Sequence, residues 1–321
     1  MKYLLTILLC FALSFVSLFA QTQEPKIRVK ANWFKGDQLT YEVTKIDLEW
    51  YQYSLIVKDT LKYLANFHVI DSTKDFYKIE WKFGNTLLQN YEFTKEQETA
   101  LAKYEDIDVI YTTNKQGKFL GIDNWKSIAN MLGAMFTDLI KVAKENLKGE
   151  EKYRQQKQLE FARSIYTSKL GVERQLLNEV FLLHKHFSNS YHTTQNNYYE
   201  TVLSGIGGIN HPIRQNQEIY IDASSLKDGI CKMKNDIKIN QKDARRFIQA
   251  AFERIGENEK GGELVVGDSQ LDIKSQEKHE YNIEQGILLR LETNQSVLLQ
   301  IRNEKQRVFK KVKVELLKHK D

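Results

Sequence analysis

Between Ile107 and Leu139 the chain changes its hydrophobic period, and that change limits what it can fold into. Ile107, Val109 and Tyr111 alternate as a strand, a polar turn closes at Gly117, and a short return strand runs from Phe119 to Ile122. Beyond Asp123 the apolar residues recur at three- and four-residue spacing: Ile128, Leu132, Met135, Phe136, Leu139 and Val142. Alternation places side chains on one face of a strand, whereas the longer spacing lays a stripe along one side of a helix. β pattern precedes this stretch, a helical block follows it to about residue 187, and β pattern then returns. The expected fold class is α+β, with antiparallel meanders (a curved sheet or half-barrel) flanking a central helical block.

The β pattern before the switch has internal punctuation. Leu39, Tyr41 and Val43 alternate, then the register slips to Ile46, Leu48 and Trp50, which predicts a β-bulge or break near Thr44-Lys45. One strand from Tyr51 to Val69 would reach about 60 Å at about 3.3 Å per residue, so a turn is expected near Lys58 to Thr60. Tyr77, Ile79, Trp81 and Phe83 form a strand ended by Gly84-Asn85, with Leu87 to Phe93 expected to pair back onto it.

Asp123 or Asn124 is positioned to cap the central helix, which Gly149 should end. A polar helical stretch follows at 150–165, then a third helix marked by Leu170, Val172, Leu177, Val180, Phe181 and His184. Residues 188–218 read as loops around a short strand near Glu200 to Leu203. Asn240 begins a further helix over 241–256, with Asp243 three positions on as a short-armed capping box. The closing meander has strands at 264–266, 271–273, 281–283, 287–291, 297–301 and 308–316, with turns at Glu284 to Gly286, Thr293 to Gln295 and Asn303 to Gln306. YTTNKQGKFLGI (111–122) and YNIEQGILLRLE (281–292) share a hairpin shape rather than a repeat, because their gaps differ by one residue.

The first twenty residues read as an export leader: Lys2, an apolar run from Leu4 to Phe19, and Ala20 before a cleavage that leaves Gln21. The expected location is periplasmic or secreted, with no transmembrane span once the leader is removed. Leu9, rather than a small residue, precedes Cys10, which disfavours lipid anchoring there. Cys231 is then the one remaining cysteine; no intramolecular disulfide can form, and Cys231 fits the alternation of a buried small hydrophobe. The domain reading is a leader at 1–20, a β region at 21–122, helices at 123–187 and a β-rich region at 188–321, or one continuous domain. The net charge of +5 becomes +4 without Lys2, and lysines interleave with acids, so nucleic acid is not an expected partner.

No catalytic constellation stands out, and no cofactor is expected. His184 and His186 would point about 200° apart on a helix, so with His192 they do not form a readable metal set. Gly205, Gly207 and Gly208 meet Pro212 instead of a helix and Lys, unlike a phosphate cradle. Tyr191, Tyr198 and Tyr199 have the composition of a sugar-facing loop and equally of an ordinary exposed one.

The leader ending FAQ, the strand GDQLTYEV, the step YTTNKQGKFLGIDNW and the closing YNIEQGILLRLE resemble uncharacterised secreted or periplasmic proteins of Bacteroidota-type Gram-negative bacteria. The architecture is similar to the periplasmic lipoprotein-carrier group, whose curved antiparallel sheet is closed by helices around an apolar cavity. That likeness transfers no individual residue, and this chain is much longer than one carrier domain. It implies a non-catalytic cell-envelope protein that takes a lipid or other apolar small molecule between sheet and helices. Met131, Leu132, Met135, Phe136, Leu139 and Trp81 are the expected lining. The alternatives are a structural or assembly factor that binds an envelope protein partner, and a hydrolase of envelope or carbohydrate substrates.

Overall fold

The computed structural model describes residues 25–88, 93, 95–146, 148–173, 177–203, 211–256, 270–301 and 304–320. The leader, the glycine run at 205–208 and the expected strand at 264–266 lie outside them. In chain order the elements are β1 (Lys26–Arg28), β2 (Gln38–Tyr51), β3 (Ser54–Ser72), β4 (Phe76–Gly84), α1 (Lys95–Leu101), β5 (Asp106–Asn114) and β6 (Phe119–Ile122). The helices α2 (Trp125–Asn146), α3 (Gly149–Tyr166) and α4 (Asn178–His184) follow, with a single turn at Lys169–Gly171 between the last two. Then come β7 (Ser190–His192), β8 (Asn197–Leu203), β9 (Ile213–Asp222), β10 (Ile230–Ile239), α5 (Gln241–Gly256), β11 (Gln270–Asn282), β12 (Ile287–Ile301) and β13 (Glu304–Lys320).

Eleven strands form one antiparallel sheet in the order β6-β5-β4-β3-β2-β13-β12-β11-β10-β9-β8, while β1 pairs with β7 outside it. The class is α+β, and the sheet is curved and not closed. The two β regions are therefore halves of one sheet, joined where β2 pairs with β13. Its edge strands are β6 and β8, and the helical block occupies the stretch of chain that connects those edges.

The helices cover the core face of the sheet. Ile128, Leu132, Met135, Phe136 and Leu139 of α2 are buried in one cluster with Leu39, Tyr41 and Val43 of β2, Ile79 and Trp81 of β4, and Val109 and Tyr111 of β5. Each such side chain contributes about 1.5–3 kcal/mol through apolar area removed from water. A second, smaller cluster sits where α5 packs on the sheet, built from Ile213, Ile239, Ala244, Ile248 and Leu271.

Several boundaries differ from those read in the sequence. β2 pairs continuously through Thr44 and Lys45, and the irregularity in its pairing with β3 falls at Glu49/Trp50. Leu39, Tyr41 and Val43 face the core, whereas Ile46, Leu48 and Trp50 lie on the outer face in half-exposed positions. The slip in pattern marks a change in which face is apolar, not a change in pairing.

Nor does β3 turn near Lys58 to Thr60; it is one strand of 19 residues, and the hairpin turns at Gln52-Tyr53, with Gln52 at φ 55. Its length is supported by β2, which pairs with it from Ser54 to His68, and by β4, which takes over from Ala65 to Ser72. β11 likewise runs without a break from Gln270 to Asn282, and β12 continues through Thr293 to Gln295, where a turn was expected. β4 pairs with β3 on one side and β5 on the other. Of the segment expected to pair back onto it, Leu87 and Leu88 belong to a 3-10 turn at Thr86–Leu88, while residues 89–92 lie outside the described residues.

Gly149 begins α3 at φ 61, while α2 ends at Asn146. Neither expected cap of α2 acts as one. Asn124 accepts from Ile110 N at 2.9 Å and donates to Asp108 O, and Asp123 accepts from Thr112 Oγ1, so both pin the helix start to β5. Asn240 does cap α5, accepting from Lys242 N at 3.0 Å and Asp243 N at 3.2 Å. Asp243 does not complete a capping box; it turns to β9 and takes Arg214 in a two-point ion pair at 2.7 and 3.1 Å.

The two hairpins that echo each other in sequence meet the same segment. Ala31 N donates to Gln116 O in the β5–β6 turn, while Asn32 Nδ2 and Trp33 Nε1 donate to Glu284 O and Gly286 O in the β11–β12 turn. Gly286 holds φ 63, and a Cβ there would meet Ala31 Cα at 2.8 Å and Asn32 N at 2.9 Å. Gly286→Ala is expected to destabilise the fold by about 2–3 kcal/mol, from left-handed backbone strain and displacement of this segment. Urea unfolding checks it; a midpoint equal to that of the wild type would show that the segment yields without cost.

Candidate functional site

Trp81, Leu132 and Met135 are fully buried, and Phe136 and Leu139 nearly so; Met131 is half-buried and packs against the same cluster. Trp81 tilts against Tyr41 with ring centroids 5.8 Å apart, Phe136 stacks on Tyr166 at 5.9 Å, and Met135 Sδ accepts from Asn85 Nδ2 at 3.2 Å. The six residues expected to line an apolar site thus share one cluster. One cavity of about 790 Å³ lies along α3, lined by Glu150, Tyr153, Arg154, Lys157, Gln158 and Phe161. A second, of about 390 Å³, lies between α2 and α3 beside Gly133 and Thr167. None of the six residues lines either one.

The polar chemistry of the core face gathers around α4 and the turn that follows it. Glu179, in the first turn of α4, is completely buried and accepts hydrogen bonds from Tyr63 Oη and, at 3.1 Å, Lys45 Nζ. One carboxylate thereby ties the helix to β2 and β3. Burial, with the Glu179 charge adding to it, pushes the Tyr63 phenol far above its usual range.

His184, at the other end of α4, bonds Tyr111 Oη at 2.9 Å and Gly117 O at 2.8 Å. Both ring nitrogens are satisfied, and burial lowers its pKa to about 4. It is a neutral structural histidine that locks α4 to the β5–β6 hairpin.

From the next residue the chain faces the other half of the sheet. Lys185 Nζ reaches both oxygens of Glu277 at 2.7 Å, and Asn235 Nδ2 donates to Glu277 Oε2 at 3.0 Å. His186 Nδ1 bonds Tyr191 Oη at 2.8 Å. The His186 ring meets that of His279 edge-on at 4.4 Å, and His279 in turn stacks on Tyr281 at 5.9 Å. Period two along β11 puts Glu277, His279 and Tyr281 on one face, and β10 sets Asn235 and Cys231 opposite Glu277 and Tyr281.

Burial favours the neutral imidazoles: the pKa of His279 falls to about 4 and that of His186 well below its ordinary value. Burial pushes the Glu277 carboxyl upward, but the neighbouring Lys185 charge prevails and holds it below the ordinary carboxylate value.

His184 and His186 do diverge, one toward β5 and the other toward β11, but His186 lies past the end of α4, so helical spacing is not the cause. Helical spacing around His184 carries no sign of Glu277 and His279. The available signal was the Glu-Lys-His-Glu-Tyr run at 277–281, whose alternate residues share a strand face. Of the tyrosines, Tyr191 is buried beside His186, whereas Tyr198 and Tyr199 remain exposed. Cys231 is buried and free, as its alternation implied, and burial pushes its thiol up to about 12.

No protein-family model matches the chain, and no curated protein does. Among solved structures, lipovitellin, from work on lipid–protein interactions, aligns over 90% of this chain and 26% of its own at 8% identity and a TM-score of 0.46. The chain thus spans about a quarter of that protein's length. Ail, the attachment invasion locus protein of Yersinia pestis, in complex with the heparin analogue sucrose octasulfate, aligns over 88% of this chain and 99% of its own, at 5% identity and a TM-score of 0.15. An outer membrane channel from Pseudomonas putida F1 aligns over 90% and 98%, at 6% identity and a TM-score of 0.16. Likeness at this level transfers no function, and the chain is assigned to no family.

Proposed function

We propose that this is an exported, non-catalytic protein of the cell envelope that carries a lipid or other apolar molecule between its curved sheet and the helices over it. The observation that carries this reading is an unclosed eleven-stranded sheet whose edges are connected through the helical block. The helices can swing away from the core face without breaking a strand pair, which a closed barrel would not allow. The apolar cluster at Trp81, Leu132 and Met135 is the surface such a movement would uncover. Among the described residues no helix is long and apolar enough to cross a membrane.

Native mass spectrometry of the protein from its own envelope, followed by organic extraction, tests the proposal. The expected result is a reproducible mass excess that extracts as an apolar molecule. Met135→Trp, which places a larger side chain in the same cluster, is expected to abolish uptake while far-ultraviolet circular dichroism stays native. A clean apo mass together with no uptake of added lipid would sink the carrier reading.

A second reading, an assembly factor acting through protein contacts, is favoured by the β2–β3 tip. There Tyr51, Tyr53, Leu55, Ile56 and Val57 are all exposed, with Tyr53 at 93%. Under that reading, Tyr53→Ser together with Ile56→Ser abolishes co-purification of a specific envelope partner and leaves the apo mass unchanged.

A further inference from the structure

We infer that His186, Glu277 and His279 form a binding site for a divalent transition-metal ion of the zinc type, which joins the helical block to the sheet. One ligand atom from each of the three lies within 4.8 Å of the other two, and all three residues are buried. His186 Nε2 and both ring nitrogens of His279 have no hydrogen-bond partner. The Leu182 carbonyl lies beside the His279 ring but outside hydrogen-bonding geometry. A buried polar group left unpaired costs about 1–3 kcal/mol, and here such groups converge on one point beside a carboxylate. Metal coordination would engage one nitrogen of each ring.

The donor set fits the ion. Two imidazoles and one carboxylate are a known zinc combination, with bonds of about 2.0–2.2 Å and a fourth position left open. Tyr191 Oη on His186 Nδ1 supplies an outer partner that orients the ring and leaves Nε2 directed at the site. At bonds of about 2.1 Å, tetrahedral ligand atoms stand about 3.4 Å apart, so the three must draw together by up to about 1.4 Å.

Lys185 opposes the ion, because its ammonium holds both oxygens of Glu277. Its side chain is 27% exposed and can turn toward water, freeing one oxygen. Since His186 follows α4 while Glu277 and His279 lie on β11, a bound ion would fasten the end of the helical block to the sheet.

The test is equilibrium dialysis of the EDTA-stripped full chain against Zn²⁺, with Co²⁺ as the spectroscopic probe. The expected result is one equivalent of zinc, and a Co²⁺ adduct with d–d bands of tetrahedral intensity. His186→Asn and His279→Asn should each weaken zinc binding at least ~100-fold, beyond the loss typical of an outer-shell partner. Lys185→Met should tighten binding by removing the competing ammonium, and this variant keeps the test decisive if a histidine variant fails to fold. Natively folded wild-type protein that retains no zinc and gives no Co²⁺ bands overturns the site. So does zinc binding that is equal in wild type and both histidine variants, or that Lys185→Met leaves unchanged.

Discussion

Lys45→Met is expected to lower the unfolding free energy by about 3–5 kcal/mol, the usual cost of stranding a buried charge by removing its partner. Glu179 is fully buried, while Lys45 retains 25% exposure and reaches in to 3.0 Å from the second carboxylate oxygen. With the ammonium gone, the carboxylate keeps only Tyr63 Oη among its described hydrogen-bond donors. It must then either bury an uncompensated charge or draw α4 off the sheet. The reverse change, Glu179→Met, should cost less, because Lys45 can extend into water but a fully buried Glu179 cannot. The triple variant Lys45→Met, Glu179→Met, Tyr63→Phe removes the whole set and should recover most of the loss, since apolar residues of similar volume often replace a buried pair without penalty. Urea midpoints for the single and triple variants measure this. A Lys45→Met protein within about 1 kcal/mol of the wild type would mean that Glu179 finds water or another donor.

Trp81→Ala should cost about 3–5 kcal/mol, as large aromatic truncations in a packed core do. Trp81 lies in the middle of β4, fully buried, against Tyr41 and within the cluster that α2 covers. Its indole N–H has no hydrogen-bond partner, so the residue contributes through volume and contact alone. Trp81→Phe should therefore keep much of what alanine loses, costing about 1–2 kcal/mol for the smaller ring. Had the N–H mattered, both variants would suffer alike. Thermal and urea unfolding of the two variants give the comparison, and near-equal losses would refute the volume argument.

Local pattern carried a good deal of this architecture. The central stripe of α2, the hairpin at Gly117, the turn at Gly286 and the cap at Asn240 are each encoded within about ten residues. Readings failed where both faces of a strand are partly wet. Along β2 the apolar face changes beyond Val43, and along β12 the polar run Thr293 to Gln295 looks like a turn. In both places the ladder continues because the strands on either side run alongside the stretch, a property of the partners that the strand's own residues do not record.

Periodicity alone established that strands flank a helical block and that α2 buries one stripe. It could do so because a residue's face follows from its spacing along its own element. The tertiary structure decided that β2 pairs with β13, which merges the two β regions into one open sheet. It also decided that His186 meets Glu277 and His279, and that Glu179 meets Lys45 and Tyr63. These are contacts between residues roughly ninety or more positions apart, and they depend on which strand lies beside which. That neighbour relation arises from packing the whole sheet, and no single stretch of the chain carries it.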